Sequence, residues 1–238
     1  MLRIIRVPVL PFGMVNAHLI IGANGCLLVD AGLPGTEKKL QAVLKHNGLG
    51  FRDIRLIVIT HAHVDHAGNA AKIRSLSGAP ILAHEGDLPY YLREREMHFC
   101  ASGLFGRLFL RTGLMYEPYE PFRPDILLQD GDSRSLNEWG FDGLVRHTPG
   151  HTAGSISVQL EGQHMLVGDL LASGLLLGGI AFTGRAKSPP FEDDPHQVGK
   201  QLQALIADGG SDFFIGHGGP LSAAQVAQHA ARLLKKQP

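Results

Sequence analysis

Short apolar runs of β type alternate along this chain with segments whose apolar residues recur at helical spacing, a pattern that predicts an α/β architecture. Residues 3–7, 16–21 and 26–29 read as strands, the last two joined by a turn at Ala23-Asn24-Gly25. Thr36 is placed to cap a helix whose Leu40, Val43 and Leu44 share one face, and Gly48 stands where its C-terminal stop belongs. Leu56-Ile57-Val58-Ile59-Thr60 reads as a buried strand. A helix starting near Asp65 or His66 then runs through Ala70, Ile73 and Leu76 to Gly78, and residues 80–83 supply another strand.

Between residues 85 and 124 the pattern changes. Tyr90, Tyr91, Phe99, Phe105, Phe109, Tyr116, Tyr119 and Phe122 make up half of the chain's aromatic residues, with Arg93, Arg95, Arg107 and Arg111 among them. This segment reads as a helical insertion. Most of its aromatics serve to pack it onto the rest, and as a lid it would give a substrate pocket an apolar wall. A second strand-rich half follows, with strands at 126–129, 144–147, 155–160, 164–167 and 213–215, a turn at Asp130-Gly131-Asp132, and helices at 195–207 and 222–234. Both halves run from strands to helix, which suggests a pseudo-repeat with a site between the halves. One domain over residues 1–238 is expected, with 85–124 as its lid.

Composition narrows the chemistry. Lys+Arg and Asp+Glu both number 22, without a run of like charge, so a phosphate-tracking surface and a nucleic-acid partner are not expected. No apolar stretch approaches the roughly 20 residues that span a bilayer, and Arg6, Pro8, Pro11 and Gly13 interrupt any signal-type core. A cytoplasmic protein that neither spans nor binds a membrane is expected. The two cysteines, Cys26 and Cys100, lack Cys-x-x-Cys spacing and read neither as zinc ligands nor as a disulfide framework.

The densest chemical signal is His61-Ala62-His63-Val64-Asp65-His66, with three imidazoles and a carboxylate directly after a buried strand. Burying such groups unpaired costs a few kcal/mol each, roughly, whereas imidazole and carboxylate together hold a dication. Three further segments place His or Asp beside glycine at a strand end: Pro149-Gly150-His151-Thr152, Gly168-Asp169 and Gly216-His217-Gly218. Singly, each is a weak signal.

In this order the four segments resemble the metallo-β-lactamase superfamily of metallohydrolases, over residues 16–219 and at every ligand slot. The resemblance implies a four-layer αββα sandwich with the metal site at one edge of two facing sheets. It also implies that His61, His63 and His151 hold one divalent ion, that Asp65, His66 and His217 hold a second, and that Asp169 bridges them. Zinc is the expected metal, with iron and manganese the alternatives. Two such ions about 3.5–4 Å apart share a hydroxide, water's pKa falling to about 7 on binding. That hydroxide attacks a carbonyl, with Asp65 as the catalytic residue that orients it. Asp-x-Gly turns of the superfamily lie beneath the site, so Asp30 is expected either to orient a ligand imidazole or to serve as a turn residue.

His84, at a strand end, is a candidate to reach the pocket. Ser173, Thr183, Arg185 and Lys187 are candidates to bind an anionic substrate, or else belong to a flexible Gly-rich loop. Asp169 resembles the bridging aspartate of glyoxalase II thioesterases and quorum-quenching lactonases. The lactonase tyrosine that should follow it is replaced by Leu170-Leu171-Ala172-Ser173, and the glutathione-binding C-terminal domain of long glyoxalase II enzymes has no room here. The expected activity is hydrolysis of a small thioester, ester or lactone, with β-lactam cleavage as a side activity and a homodimer as an admissible assembly. The alternative is a mononuclear iron oxidoreductase like the persulfide dioxygenases.

Overall fold

The computed structural model describes residues 2–235. Its first sheet has six strands in chain order: β1 (Arg3–Pro8), β2 (Asn16–Gly22), β3 (Gly25–Val29), β4 (Ile54–Val58), β5 (Ile81–His84) and β6 (Ile126–Leu128). It starts antiparallel and becomes parallel from β3 onward. The second half supplies β7 (Ser133–Ser135), β8 (Gly143–His147), β9 (Ile156–Leu160) and β10 (His164–Leu166). A small hairpin of β11 (Ala172–Ser173) and β12 (Ala186–Lys187) follows, then β13 (Asp212–Phe214) and β14 (Leu221–Ser222). The second sheet is ordered β14-β13-β10-β9-β8-β7.

Strand alternation builds the layers. In β3, Leu27 and Val29 face a core between the sheets, with Leu56 and Val58 of β4 and Val145 and Val158 of the other sheet. Their neighbours Cys26, Leu28 and Ile57 face outward, against Leu40 and Leu44 of α1 (Glu37–His46). On the far side Met165 and Phe213 pack under Val198 and Leu202 of α6 (Pro195–Ala207) and Val226 of α7 (Ala223–Lys235). Helix, sheet, sheet and helix are thus stacked, as the resemblance implied. No helix among the described residues is long and apolar enough to cross a membrane.

Local departures have identifiable causes. The helix expected to run unbroken to Gly78 is split into α2 (Val64–Ala67) and α3 (Ala70–Ser77). Between them Asn69 N–H donates to the Gly32 carbonyl at 3.0 Å, and a Cβ on Gly68 would lie 2.7 Å from Pro34 Cδ, so the chain breaks to seat against the 31–34 loop. Thr36 precedes α1 but makes no side-chain cap; its hydroxyl donates to Leu33 O at 2.6 Å. Segment 85–124 is less helical than expected. It holds α4 (Leu88–Tyr91), α5 (Gly103–Leu110) and short 3-10 turns, while Pro118, Pro121 and Pro124 remove helix donors from its end. Helix α5 lies on the 189–191 strap: Ser102 N–H donates to Pro190 O at 2.8 Å, and a Cβ on Gly106 would meet that oxygen at 2.2 Å.

Candidate metal centre

Four strand exits converge at one edge of the sandwich. The loop after β4 carries His61 and His63 and leads into α2 with Asp65 and His66. The loop after β8 carries His151, and the exits of β10 and β13 carry Asp169 and His217. All seven side chains are buried. They fall into two groups, His61, His63, His151 and Asp169 on one side and Asp65, His66 and His217 on the other. Asp169 reaches both: its Oδ1 is 3.3 Å from His66 Nε2, while Oδ2 is 2.9 Å from His217 Nε2 and 3.9 Å from His151 Nε2. Asp65 Oδ2 lies 3.3 Å from His217 Nε2.

Backbone contacts and buried acceptors aim these rings. His66 Nδ1 lies 2.8 Å from Asp30 Oδ2, and His217 Nδ1 donates to the Met14 carbonyl. His61 Nδ1 is 3.0 Å from Thr60 Oγ1, whose hydroxyl donates to Asp30 at 2.9 Å. Because carbonyl and carboxylate oxygens only accept, Nδ1 of His66 and His217 carries a proton and the Nε2 edge of each ring faces the cluster. Asp30 therefore lies against the His66 ring on the side away from the cluster.

The donor set fits divalent cations. His61 Nε2, His66 Nε2 and Asp169 Oδ1 are buried without a hydrogen-bond partner among the described residues, a costly condition that a cation relieves. Gly216 leaves that space open, since a Cβ there would lie 2.2 Å from Asp169 Oδ1. Burial pushes His63 down to about 3, His151 down to about 4 and His61 well below the usual imidazole range, so all three are neutral and ligand-ready. For His66 and His217 burial opposes the charge, but the Asp169 carboxylate overrides it, raising His66 well above its usual range and His217 to about 10. Likewise burial opposes ionisation of Asp65 and Asp169. The His66 charge nonetheless holds Asp65 at about 2, and His217 and His66 hold Asp169 well below the usual carboxylate range. In the metal-free chain, protons on His66 and His217 thus balance the carboxylates, and a dication displaces them.

Other predicted residues lie elsewhere. His84 stacks on His147 with ring centroids 3.8 Å apart, and its Nδ1 accepts from Gly86 N. Ser173 braces the His217 loop: its amide donates to His217 O at 2.9 Å and its Oγ accepts from Gly219 N at 2.8 Å. Arg185 and Lys187 line a separate cavity with Arg232, and Thr183 is exposed.

Three supports had no sequence signal. Asp87, fully buried, accepts from Ala62 N, Thr152 Oγ1 and Gly154 N, each at 2.9 Å, and so ties the His61–His63 loop to the His151 loop. Burial pushes its carboxyl up to about 6 despite these bonds. Asn16 Nδ2 donates to Gly218 O at 3.1 Å, pinning the His217 loop to the start of β2. Thr60 looked only like the end of an apolar run.

A profile of the metallo-beta-lactamase superfamily matches residues 10–222. The chain is 29% identical over 170 residues to the probable metallo-hydrolase YqgX of Bacillus subtilis (strain 168), covering 71% of each protein. It is 28% identical over 209 residues to a hydroxyacylglutathione hydrolase of Anaeromyxobacter dehalogenans (strain 2CP-C), covering 87% of this chain and 62% of that one. Its fold superposes on a metallo-beta-lactamase family protein of Thermus thermophilus with a TM-score of 0.68 at 25% identity, over 98% of this chain and 78% of the other.

Proposed function

This chain belongs to the metallo-beta-lactamase superfamily and is a metal-dependent hydrolase, and we propose that it works through a dinuclear centre on the carbonyl of a small thioester, ester or lactone. The position of Asp169 carries this reading: one carboxylate faces both groups, its Oδ2 3.9 Å from His151 Nε2 in one and 2.9 Å from His217 Nε2 in the other. His61, His63 and His151 would hold one ion and Asp65, His66 and His217 the other, with Asp169 placed to serve both. Zinc suits the nitrogen and oxygen donors. A bound pair of dications supplies a water acidified toward neutral pH and a Lewis acid for the carbonyl oxygen.

The chain's own side chains do the rest. Asp65, buried 3.3 Å from His217 Nε2, lines the cavity above the cluster and accepts a hydrogen bond from the attacking water, fixing its lone pair toward the carbonyl. Asp30 and Thr60 hold His66 and His61 in register. Segment 85–124 is the lid: Phe109 and Leu114 line the same cavity, and the Phe99 ring stands 4.9 Å from that of His63. These apolar side chains exclude bulk water from the reacting groups. A cytoplasmic setting agrees with two free cysteines, one of them buried.

A panel of thioesters, lactones and aryl esters tests the reading. Turnover that stops on chelation and returns with zinc supports it. One iron per chain with oxygen uptake on a persulfide contradicts it in favour of the oxidoreductase.

A further inference from the structure

All nine large apolar side chains that are exposed among the described residues lie in three segments, at Phe12, within 104–116 and within 175–182. Phe12 is 74% exposed, Phe182 72% and Leu104 71%. The three segments adjoin. Gly179 packs so closely on the Phe12 carbonyl that a Cβ would overlap it, and Leu175 and Phe182 share a cavity with Ser102 and Gly103 at the start of α5. Leu10, Leu114 and Leu177 border the cavity above the metal cluster, so the exposed side chains form a rim around its mouth. Apolar surface gathered in this way marks a docking face, unlike single exposed residues scattered over a surface.

Backbone and charge single out this rim as well. Phe12, Leu176 and Phe182 hold left-handed backbones, with φ of 58°, 52° and 54°, a conformation that bulky residues adopt at a cost. More than half of each is exposed, so packing within the chain offsets little of that cost. Residues 10–16, 101–116 and 170–191 carry Arg107, Arg111, Arg185 and Lys187 and no carboxylate, in a chain whose charges balance overall. Leu104, Arg107, Leu108 and Arg111 are spaced i, i+3, i+4 and i+7 along α5 and its cap and share the exposed face, while Gly106 is buried on the 189–191 strap. Arg185 and Lys187 join Arg232 of α7 around a cavity of about 610 Å³ that Phe182 also lines, with the buried Glu192 the one carboxylate in its walls. Glu117 is the one exposed carboxylate in the walls of the cavity above the cluster. The rim is therefore apolar and net positive.

We propose that this rim docks on the surface of an anionic phospholipid membrane. Phe12, Leu104 and Phe182 seat among the acyl chains, while Arg107, Arg111 and the cavity of Arg185, Lys187 and Arg232 take headgroup phosphates. A second copy of the chain fits the rim less well, because a two-fold interface sets a patch against itself and brings these cations together. This mode of attachment requires no spanning helix. The expectation of no membrane contact rested on charge balanced over the whole chain, which conceals the local excess of cations. Docked in this way, the cavity of about 260 Å³ above the cluster opens toward the bilayer.

Co-sedimentation of the zinc-loaded full chain with vesicles tests this. Equimolar phosphatidylglycerol and phosphatidylcholine should bind the chain about 30-fold or more tighter than phosphatidylcholine alone, a preference that shrinks at high salt. At about fivefold per cation, Arg107→Gln combined with Arg111→Gln should weaken binding to the anionic vesicles about 30-fold and change binding to the neutral ones little. Phe12→Asn and Phe182→Asn should each weaken binding to both about tenfold or more. Asparagine tolerates a left-handed backbone, so the denaturation midpoints of these two variants should equal or exceed that of the wild type. Should either unfold, Leu104→Ser on the exposed face of α5 reads the same loss. Binding to neither vesicle, equal binding to both, or phenylalanine variants that bind as the wild type does would overturn the proposal. So would a dimer in analytical ultracentrifugation that Phe182→Asn dissolves, since that result gives the rim to a second copy.

Discussion

His66 Nδ1 lies 2.8 Å from Asp30 Oδ2, and the same carboxylate reaches His61 through the Thr60 hydroxyl, so one buried aspartate orients an imidazole in each ligand group. Asp30 holds this place in a left-handed backbone, φ 63°, which asparagine tolerates well. Asp30→Asn should therefore fold while losing the charge that fixes both rings. Zinc affinity, measured by competition with a chromogenic chelator, is expected to fall about 10- to 100-fold. Unchanged affinity would leave Asp30 as a turn residue only.

Gly216 is needed for space. A Cβ there would lie 2.2 Å from Asp169 Oδ1 and 2.4 Å from His66 Cε1. Gly216→Ala should push the two side chains apart, lowering stability by about 1–3 kcal/mol in chemical denaturation and removing zinc that the wild type retains.

Asp87 makes stability pH-dependent in a defined direction. Its folded pKa of about 6 exceeds the ordinary 3.8, so the folded state holds the proton more tightly than the unfolded chain. This contribution is fully present below about pH 4 and is lost as pH rises through 6, a change of about 3 kcal/mol. The stability difference between the metal-free wild type and Asp87→Asn should thus move against the wild type from pH 4 to 7. Denaturation midpoints at each pH measure it, and a flat difference would contradict the assignment.

Asp65→Ala should abolish hydrolysis, by about 10²-fold or more in kcat, while circular dichroism shows an intact fold. Full retained activity would remove Asp65 from the proposed chemistry.

The seven clustered side chains were legible because motif order and strand ends are local features, and all seven converge in space. Layering was legible in part: the continuous apolar run Cys26-Leu27-Leu28-Val29 reads as a strand, and the structure divides its residues between two cores. Supports were not legible, because they act across the chain. Asn16 holds Gly218 from 202 residues away, and Asp87 grips Thr152 from 65. Ring direction was hidden too: His84 occupies the predicted strand end, yet stacking on His147 turns it from the cluster. The break at Gly68 depends on Gly32 and Pro34, partners that helical periodicity does not register.

Metal stoichiometry tests the central claim most directly. Native mass spectrometry of the metal-stripped chain titrated with zinc should saturate at two ions per chain, and at fewer in Asp169→Ala. A wild-type chain that saturates at one ion, or an Asp169→Ala chain that still binds two with unchanged affinity, would contradict a centre bridged by Asp169.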